Sequence, residues 1–207
     1  MTEATLAGAP PGLDIAALTG GQPIAGIVYS AEAIATEVDR IGKEITREYE
    51  GEEDLLVLGL LKGSFIFLGD LVRRISRPVQ VDFLVASSYG SGTETSGNVE
   101  LLYDPAAPLS GRNVILVEDI VDSGNTLARM IESLEARGPK SLEICALLHK
   151  HIAPQLAKQP RWVGFDAPLD FLVGYGLDHA EDFRHLPFIA SLPELSTAPR
   201  SAGPVTK

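Results

Sequence analysis

The strongest constraint on this chain is a pair of short apolar runs with one amphipathic helix between them. Asn113 to Glu118 (NVILVE) and Leu142 to Leu148 (LEICALL) have the length of buried strands. Between them, Thr126 to Arg137 puts Leu127, Met130, Ile131 and Leu134 on one helical face, and Gly138-Pro139 stops the helix. Strand, helix and strand in this order form a right-handed parallel crossover. A similar pattern precedes it. Ser30 predicts an N-cap, followed by a helical stripe of Ile34, Val38, Ile41 and Ile45. Leu55 to Leu61 reads as a buried strand. A helix from about Ser64 to Ile75 should then turn Phe65, Leu68, Leu71, Val72 and Ile75 inward. Val79, Val81, Phe83 and Val85 alternate as in a strand. Two such units predict an α/β fold, an open parallel sheet flanked by helices. Sites in such sheets lie at the carboxyl ends of the strands, which directs attention to Lys62-Gly63, Glu118-Asp119 and His149-Lys150.

Residues 1–26 are rich in Ala, Gly and Pro and read as a flexible or loosely docked extension; the compact domain should span 27–194, and 195–207 read as a disordered tail. Ser87 to Asn98 (SSYGSGTETSGN) is polar and Gly-rich, the composition of a lid or binding loop. The chain carries 17 Lys and Arg against 28 Asp and Glu, a net charge of −11, which argues against gripping nucleic acid. The apolar runs are too short to span a bilayer, no signal sequence is visible, and the lone Cys145 fits a reducing compartment, so the expected location is the cytoplasm with no membrane partner.

The chemistry concentrates in Val117 to Thr126 (VEDIVDSGNT). Three carboxylates, Glu118, Asp119 and Asp122, stand within five residues, and small or hydroxylated residues then lead into a helix N-terminus. Free backbone N–H groups and the helix dipole favour an anion there. Carboxylates can hold sugar hydroxyls and a divalent cation, so a phosphorylated sugar matches both features. The P-loop pattern GxxxxGK[ST] is absent.

At these residues the sequence resembles the type I phosphoribosyltransferases, whose phosphoribosyl-pyrophosphate signature VEDIVDSGNT matches. Leu60-Leu61-Lys62-Gly63, Ser87-Ser88-Tyr89-Gly90, Phe171 to Asp178 (FLVGYGLD) and Phe183-Arg184 resemble the hypoxanthine-guanine branch, in the expected order from about Tyr29 to Leu192. The resemblance implies a parallel-sheet core with a small hood subdomain built from both chain ends. It implies a purine-salvage transferase that moves the 5-phosphoribosyl group from phosphoribosyl pyrophosphate to N9 of hypoxanthine or guanine, giving IMP or GMP and pyrophosphate.

Site roles follow from the resemblance alone. Glu118 and Asp119 would hold the ribose hydroxyls, directly or through Mg²⁺ and water, and Asp178 would bind a second Mg²⁺. Asp122 would be the general base at purine N7. Ser123, Gly124, Asn125 and Thr126 would cradle the 5′-phosphate. Lys62 and Gly63 would form the pyrophosphate loop, with a cis peptide before the lysine, and Arg184 would bind pyrophosphate. Ser88 and Tyr89 would form a lid. Phe171 would stack on the purine, the Leu172 backbone would meet the ring edge, and Lys150 would contact the exocyclic atom at C6. The family's usual state is a homodimer or homotetramer. His149 and His151 are too few for a metal site, Trp162 and Phe165 read as hood core, and Cys145 as a buried strand residue. Two other readings compete: a nucleotide-sensing RNA-binding regulator, which could share the phosphate loop but needs a basic face, and a phosphoacceptor receiver domain, suggested only by the acidic strand end, which has no use for Phe171 or Arg184.

Overall fold

The computed structural model describes residues 12–88, 99–122, 124–151 and 156–193, with 86–88, 99–102, 125 and 126 as backbone alone. In chain order the elements are α1 (Ile15–Leu18), β1 (Gly26–Tyr29), α2 (Ala31–Glu48), β2 (Leu55–Leu61), α3 (Phe65–Val72), β3 (Gln80–Ser88), β4 (Val99–Tyr103), β5 (Asn113–Val121), α4 (Asn125–Glu135), β6 (Ser141–His149), β7 (Trp162–Asp166), β8 (Leu172–Val173) and β9 (Ile189–Ser191). The main sheet runs β4-β3-β2-β5-β6-β7. Its last five strands are parallel, and β4 pairs antiparallel with β3 at the edge.

Helices cover both faces, which is why the central strands are continuous apolar runs rather than alternating ones. One face packs Val57, Ile115, Val117 and Cys145 under Ile34, Val38, Ile41 and Ile45 of α2 and Phe67 and Leu71 of α3. The other packs Leu56, Leu58, Leu116 and Ile144 under Leu127, Met130, Ile131 and Leu134 of α4. The α2 stripe is the predicted one, and Ser30 Oγ caps the helix by accepting from the Ala33 N–H at 3.2 Å.

A smaller sheet, β1-β9-β8, is antiparallel and joins both ends of the chain into a hood. Its core holds Val173, Phe183, Leu186, Phe188 and Ala190. Of the extension read as flexible or loosely docked, residues 12–25 are docked here. Leu13, Ile15, Leu18 and Ile24 pack on the hood core, and Asp14 caps α1 by accepting from the Ala17 N–H at 3.0 Å. Residues 1–11 and the expected tail 195–207 lie outside the described residues.

Three other expectations change. Phe65 is 45% exposed and Phe67 is buried in its place, because α3 starts one residue after Ser64 and turns Phe67, Leu68 and Leu71 onto the sheet. Strand β5 continues past Glu118 to Val121, since Glu118, Ile120 and Val121 still pair with β6. Trp162 and Phe165 belong to the core under α2 rather than to the hood core, with Phe165 stacked on Tyr29 at 4.1 Å between ring centroids. Cys145 is fully buried, as read, and burial pushes its thiol far up. Among the described residues no helix is long and apolar enough to cross a membrane.

Candidate active site

Strands β2, β5 and β6 deliver their last residues to one edge of the sheet, and the hood closes above it. The ends are stitched together by the Lys150 N–H donating to Val121 O at 2.9 Å and the Ala167 N–H donating to His149 O at 2.8 Å. Because β5 runs on to Val121, Glu118 and Asp119 are strand residues rather than loop residues.

Both carboxyls are poorly solvated. Glu118 Oε2 is buried with no hydrogen-bond partner among the described residues. Burial first, and then the neighbouring Asp119 charge, push the Glu118 carboxyl well above its usual range. Burial also raises Asp119, to about 6, although the backbone N–H groups of Asp119 and Ile120 and the Arg184 guanidinium favour its charged form. Buried carboxylates so placed suit a partner that brings charge or donors, such as a hard cation or sugar hydroxyls. Among the described residues no three His, Cys, Asp or Glu side chains gather into a ready-made metal cage. One or two carboxylates are the usual protein share for Mg²⁺, which keeps waters and substrate oxygens as its other ligands.

The loop after β2 lies directly on Asp119. The Leu61–Lys62 peptide is cis, and Ser64 Oγ donates to Leu60 O at 2.7 Å. A Cβ on Gly63 would overlap the Asp119 carboxylate, and one on Gly176 would overlap Gly63 O. Glycine is therefore required at both positions by close approach. The hood contributes Arg184, whose Nη1 donates to Gly176 O at 2.8 Å and whose Nη2 pairs with Asp178 Oδ1 at 2.8 Å and Glu181 Oε2 at 3.3 Å. Glu181 Oε1 in turn meets Lys62 Nζ at 3.0 Å. Lys62, Gly63, Asp119, Asp178 and Arg184 thus converge from three distant segments, and Glu181 bridges the two cationic side chains.

A second group lies at the ends of β5 and β6. Lys150 is buried, and its Nζ lies 3.5 Å from Oδ2 of the more exposed Asp122. In the hood, Phe171 is 46% exposed and meets His179 edge-on at 5.3 Å, while Leu172 is buried on β8. Gly124 adopts φ 73° at the N-cap of α4 and its carbonyl accepts from the Ala128 N–H. Asn125 and Thr126 open α4 as backbone, Ser88 ends β3 as backbone, and Ser123 and Tyr89 lie outside the described residues. The His149 and His151 rings lie 4.4 Å apart, tilted by 56°, and His151 pairs with Asp166 at 2.6 Å.

Sequence reasoning missed Glu181, His179 and Tyr175, whose hydroxyl donates to Asp70 Oδ2 at 2.7 Å. One available signal was Gly174-Tyr175-Gly176, a pair of glycines around an aromatic residue; all three residues have positive φ.

Carboxylates, a helix start and two cationic side chains thus gather at the carboxyl ends of the strands of a doubly wound sheet. Residues 25–180 match the family model described as phosphoribosyl transferase domain, and the chain belongs to that family. Its relatives are specific about the branch. Hypoxanthine phosphoribosyltransferase of Salmonella typhimurium is 43% identical over 160 residues, 77% of this chain and 90% of the relative. Hypoxanthine-guanine phosphoribosyltransferase of Mycobacterium avium is 42% identical over 188 residues, 85% of this chain and 93% of the relative. The crystal structure of a hypoxanthine-guanine phosphoribosyltransferase from Bacillus anthracis superposes with a TM-score of 0.78 at 44% identity, covering 83% of this chain and 100% of that one. On this evidence the branch is the hypoxanthine-guanine phosphoribosyltransferases.

The buried carboxyls give a stability prediction for the metal-free protein. Asp119 titrates at about 6 in the fold against an ordinary value of 3.8. Between those values the folded chain holds a proton that the unfolded chain has lost, so this group's contribution to stability falls as pH rises through the window. Asp119→Asn should therefore be more stable than wild type at about pH 7.5, with the advantage fading by about pH 4. Urea unfolding of both proteins in EDTA measures it, and an advantage that is the same at both pH values would contradict the burial argument.

Proposed function

We propose that this protein salvages 6-oxopurines, transferring the 5-phosphoribosyl group of phosphoribosyl pyrophosphate to N9 of hypoxanthine or guanine with release of pyrophosphate. The observation that supports it most is the convergence of Lys62-Gly63, Asp119 and Asp178-Arg184 beside the Lys150–Asp122 pair. The first set offers cations and oxygen donors for pyrophosphate and ribose, and the second offers a donor and a base for a purine.

In this reading Lys62 and Arg184 take the pyrophosphate, and Gly124 with the α4 amides of Asn125 and Thr126 takes the 5′-phosphate, joined by Ser123. Glu118 and Asp119 orient the ribose hydroxyls. Mg²⁺ would be held by Glu118 and Asp119, with a second ion at Asp178, and would supply countercharge to the polyanionic substrate. The orphaned Glu118 Oε2 fits that role. Phe171 offers its exposed ring face to the purine, and the Leu172 backbone meets the ring edge. Asp122 accepts the N7 proton as N9 attacks the anomeric carbon, which keeps positive charge off the ring. Ser88 and Tyr89 close over the centre and exclude water. The buried, unpaired Cys145 supports a cytoplasmic setting.

The direct test is incubation with hypoxanthine and phosphoribosyl pyrophosphate, watching for IMP; no nucleotide with Mg²⁺ present would reject the function. Asp122→Asn should slow the chemical step by roughly 10²-fold or more in single-turnover measurements, and an unchanged rate would remove it as the base.

Selection of the base rests on Lys150. An ammonium has donors and no acceptor, so it suits the C6 carbonyl of hypoxanthine and guanine and opposes the amino group of adenine. Lys150→Ala should lower kcat/KM for hypoxanthine by roughly 10-fold or more and narrow the gap to adenine. If neither value moves, the hood reads the base by backbone contacts alone.

We also propose that the protein is a homo-oligomer, with a second copy covering the outer part of β3. Val81, Phe83 and Val85 share one strand face, Tyr103 joins it opposite Val85, and Val81, Phe83 and Tyr103 are 36–46% exposed. Charged residues on such a face should break the assembly. Phe83→Glu should reduce the solution molar mass to that of one chain, and a wild-type monomer would reject the proposal.

A further inference from the structure

Tyr175 has no role in the chemistry above, yet with Leu172, Leu177 and Ile189 it is one of the hood side chains that enter the main core. Its ring packs with α2, α3 and the central strands, while Phe183, Leu186 and Phe188 form a separate hood cluster. It sits at the tip of a turn whose three residues, Gly174, Tyr175 and Gly176, have φ of 98°, 51° and 105°. Such a conformation is costly for a bulky residue. Added side chains cannot replace the flanking glycines, since a Cβ on Gly174 would overlap Phe188 O and one on Gly176 would overlap Gly63 O.

The turn's backbone bonds all point back into the hood. The Gly174 N–H donates to Leu177 O at 3.0 Å, the Tyr175 N–H to Leu186 O at 2.8 Å and the Gly176 N–H to Arg184 O at 2.9 Å. Arg184 closes the turn from the other side through Gly176 O. Among the described residues, the Tyr175 side chain alone reaches out of it by a hydrogen bond. Its hydroxyl donates to Asp70 Oδ2 at 2.7 Å, and the other Asp70 oxygen accepts from Arg73. Asp70 lies on α3, the helix that begins directly after the Lys62-Gly63 loop. Burial and the Asp70 charge raise the phenol's pKa, so it remains a donor at physiological pH.

The bond therefore joins two bodies that each carry one cationic group. The hood turn carries Arg184 on Gly176, and α3 continues the loop that carries Lys62. Between them the backbones of Gly63 and Gly176 are in direct apposition. We propose that the Tyr175–Asp70 hydrogen bond is a strut that sets the spacing of Lys62 and Arg184 for the pyrophosphate group. Tyr175 and Asp70 are positioning residues, acting through the turn and α3. The proposal rests on the reading that Lys62 and Arg184 form the pyrophosphate subsite.

Tyr175→Phe keeps the ring and its packing and removes only the hydroxyl. In the full-length protein with Mg²⁺, it should raise the KM for phosphoribosyl pyrophosphate and the Kd for free pyrophosphate by about 10-fold, the scale of one hydrogen bond to a charged group. The KM for hypoxanthine should change by less than about 2-fold, because Phe171 and Lys150 lie outside the strut. Asp70→Ala should reproduce the effect, Asp70→Asn should recover most of it because the amide oxygen still accepts, and Tyr175→Phe with Asp70→Ala should be no worse than either alone. An unchanged pyrophosphate Kd in Tyr175→Phe, or an equal rise in KM for both substrates, overturns the strut. Arg184→Ala separates the two levels. If it leaves pyrophosphate binding unchanged, the subsite assignment falls and the strut with it. If it weakens binding while Tyr175→Phe does not, the strut alone falls.

Discussion

A carboxylate taken out of water at the end of a buried strand is the constraint around which the rest of this site is arranged. Asp119 loses hydration because β5 runs on beside β6 through Val121 and the Gly63 loop lies on its carboxylate. Something must offset that loss. Its own amide and that of Ile120 do so locally, and Arg184 does so from the hood. The loop carrying Gly63 must pass over the carboxylate with no room for a Cβ, and Gly176 must pass over Gly63 in the same way. The result is a column of close approaches running from sheet to loop to hood turn. The hood's position is set by the same chemistry that makes the strand end reactive.

The cationic side of the site is balanced differently. Lys62 and Glu181 are both largely exposed, and an ion pair of that kind contributes little to stability. Arg184 is more enclosed, with its Nε buried and without a partner among the described residues. The two cationic groups thus differ in kind. Arg184 is tied to backbone and carboxylates, whereas Lys62 is held by one solvent-exposed contact. Glu181 bridges both, so its release would free Lys62 and loosen one side of Arg184, which stays paired with Asp178.

Periodic segments were legible in the sequence and short ones were not. The α2 stripe, the α4 face and the runs of β2, β5 and β6 declare themselves because each buries a regular set of positions. β4, β7 and the hood strands β1, β8 and β9 have two to five residues, and their pairing depends on partners far along the chain. Phe65 was misplaced because a run of apolar residues at the start of α3 leaves its phase open by one or two positions. For the site, the acidic strand end, Lys62-Gly63 and Arg184 could be named from their motifs. Their meeting in space could not, and neither could Glu181 or the Tyr175–Asp70 bond, since neither contact has a local sequence period.

The hood has a temporal consequence. Its first strand, β1, precedes every strand of the main sheet and its partner β9 follows them all, so Gly26 must wait for Ser191. During synthesis the N-terminal portion emerges first and can begin to order. No strand of the main sheet lies beyond β7, so its strand pairing can form while β8 and β9 are still unmade. A ribosome-bound chain stalled after Asp166 would therefore hold the acidic strand end without Arg184 above it. The strand end is thus laid down before the hood residue that comes to lie over it.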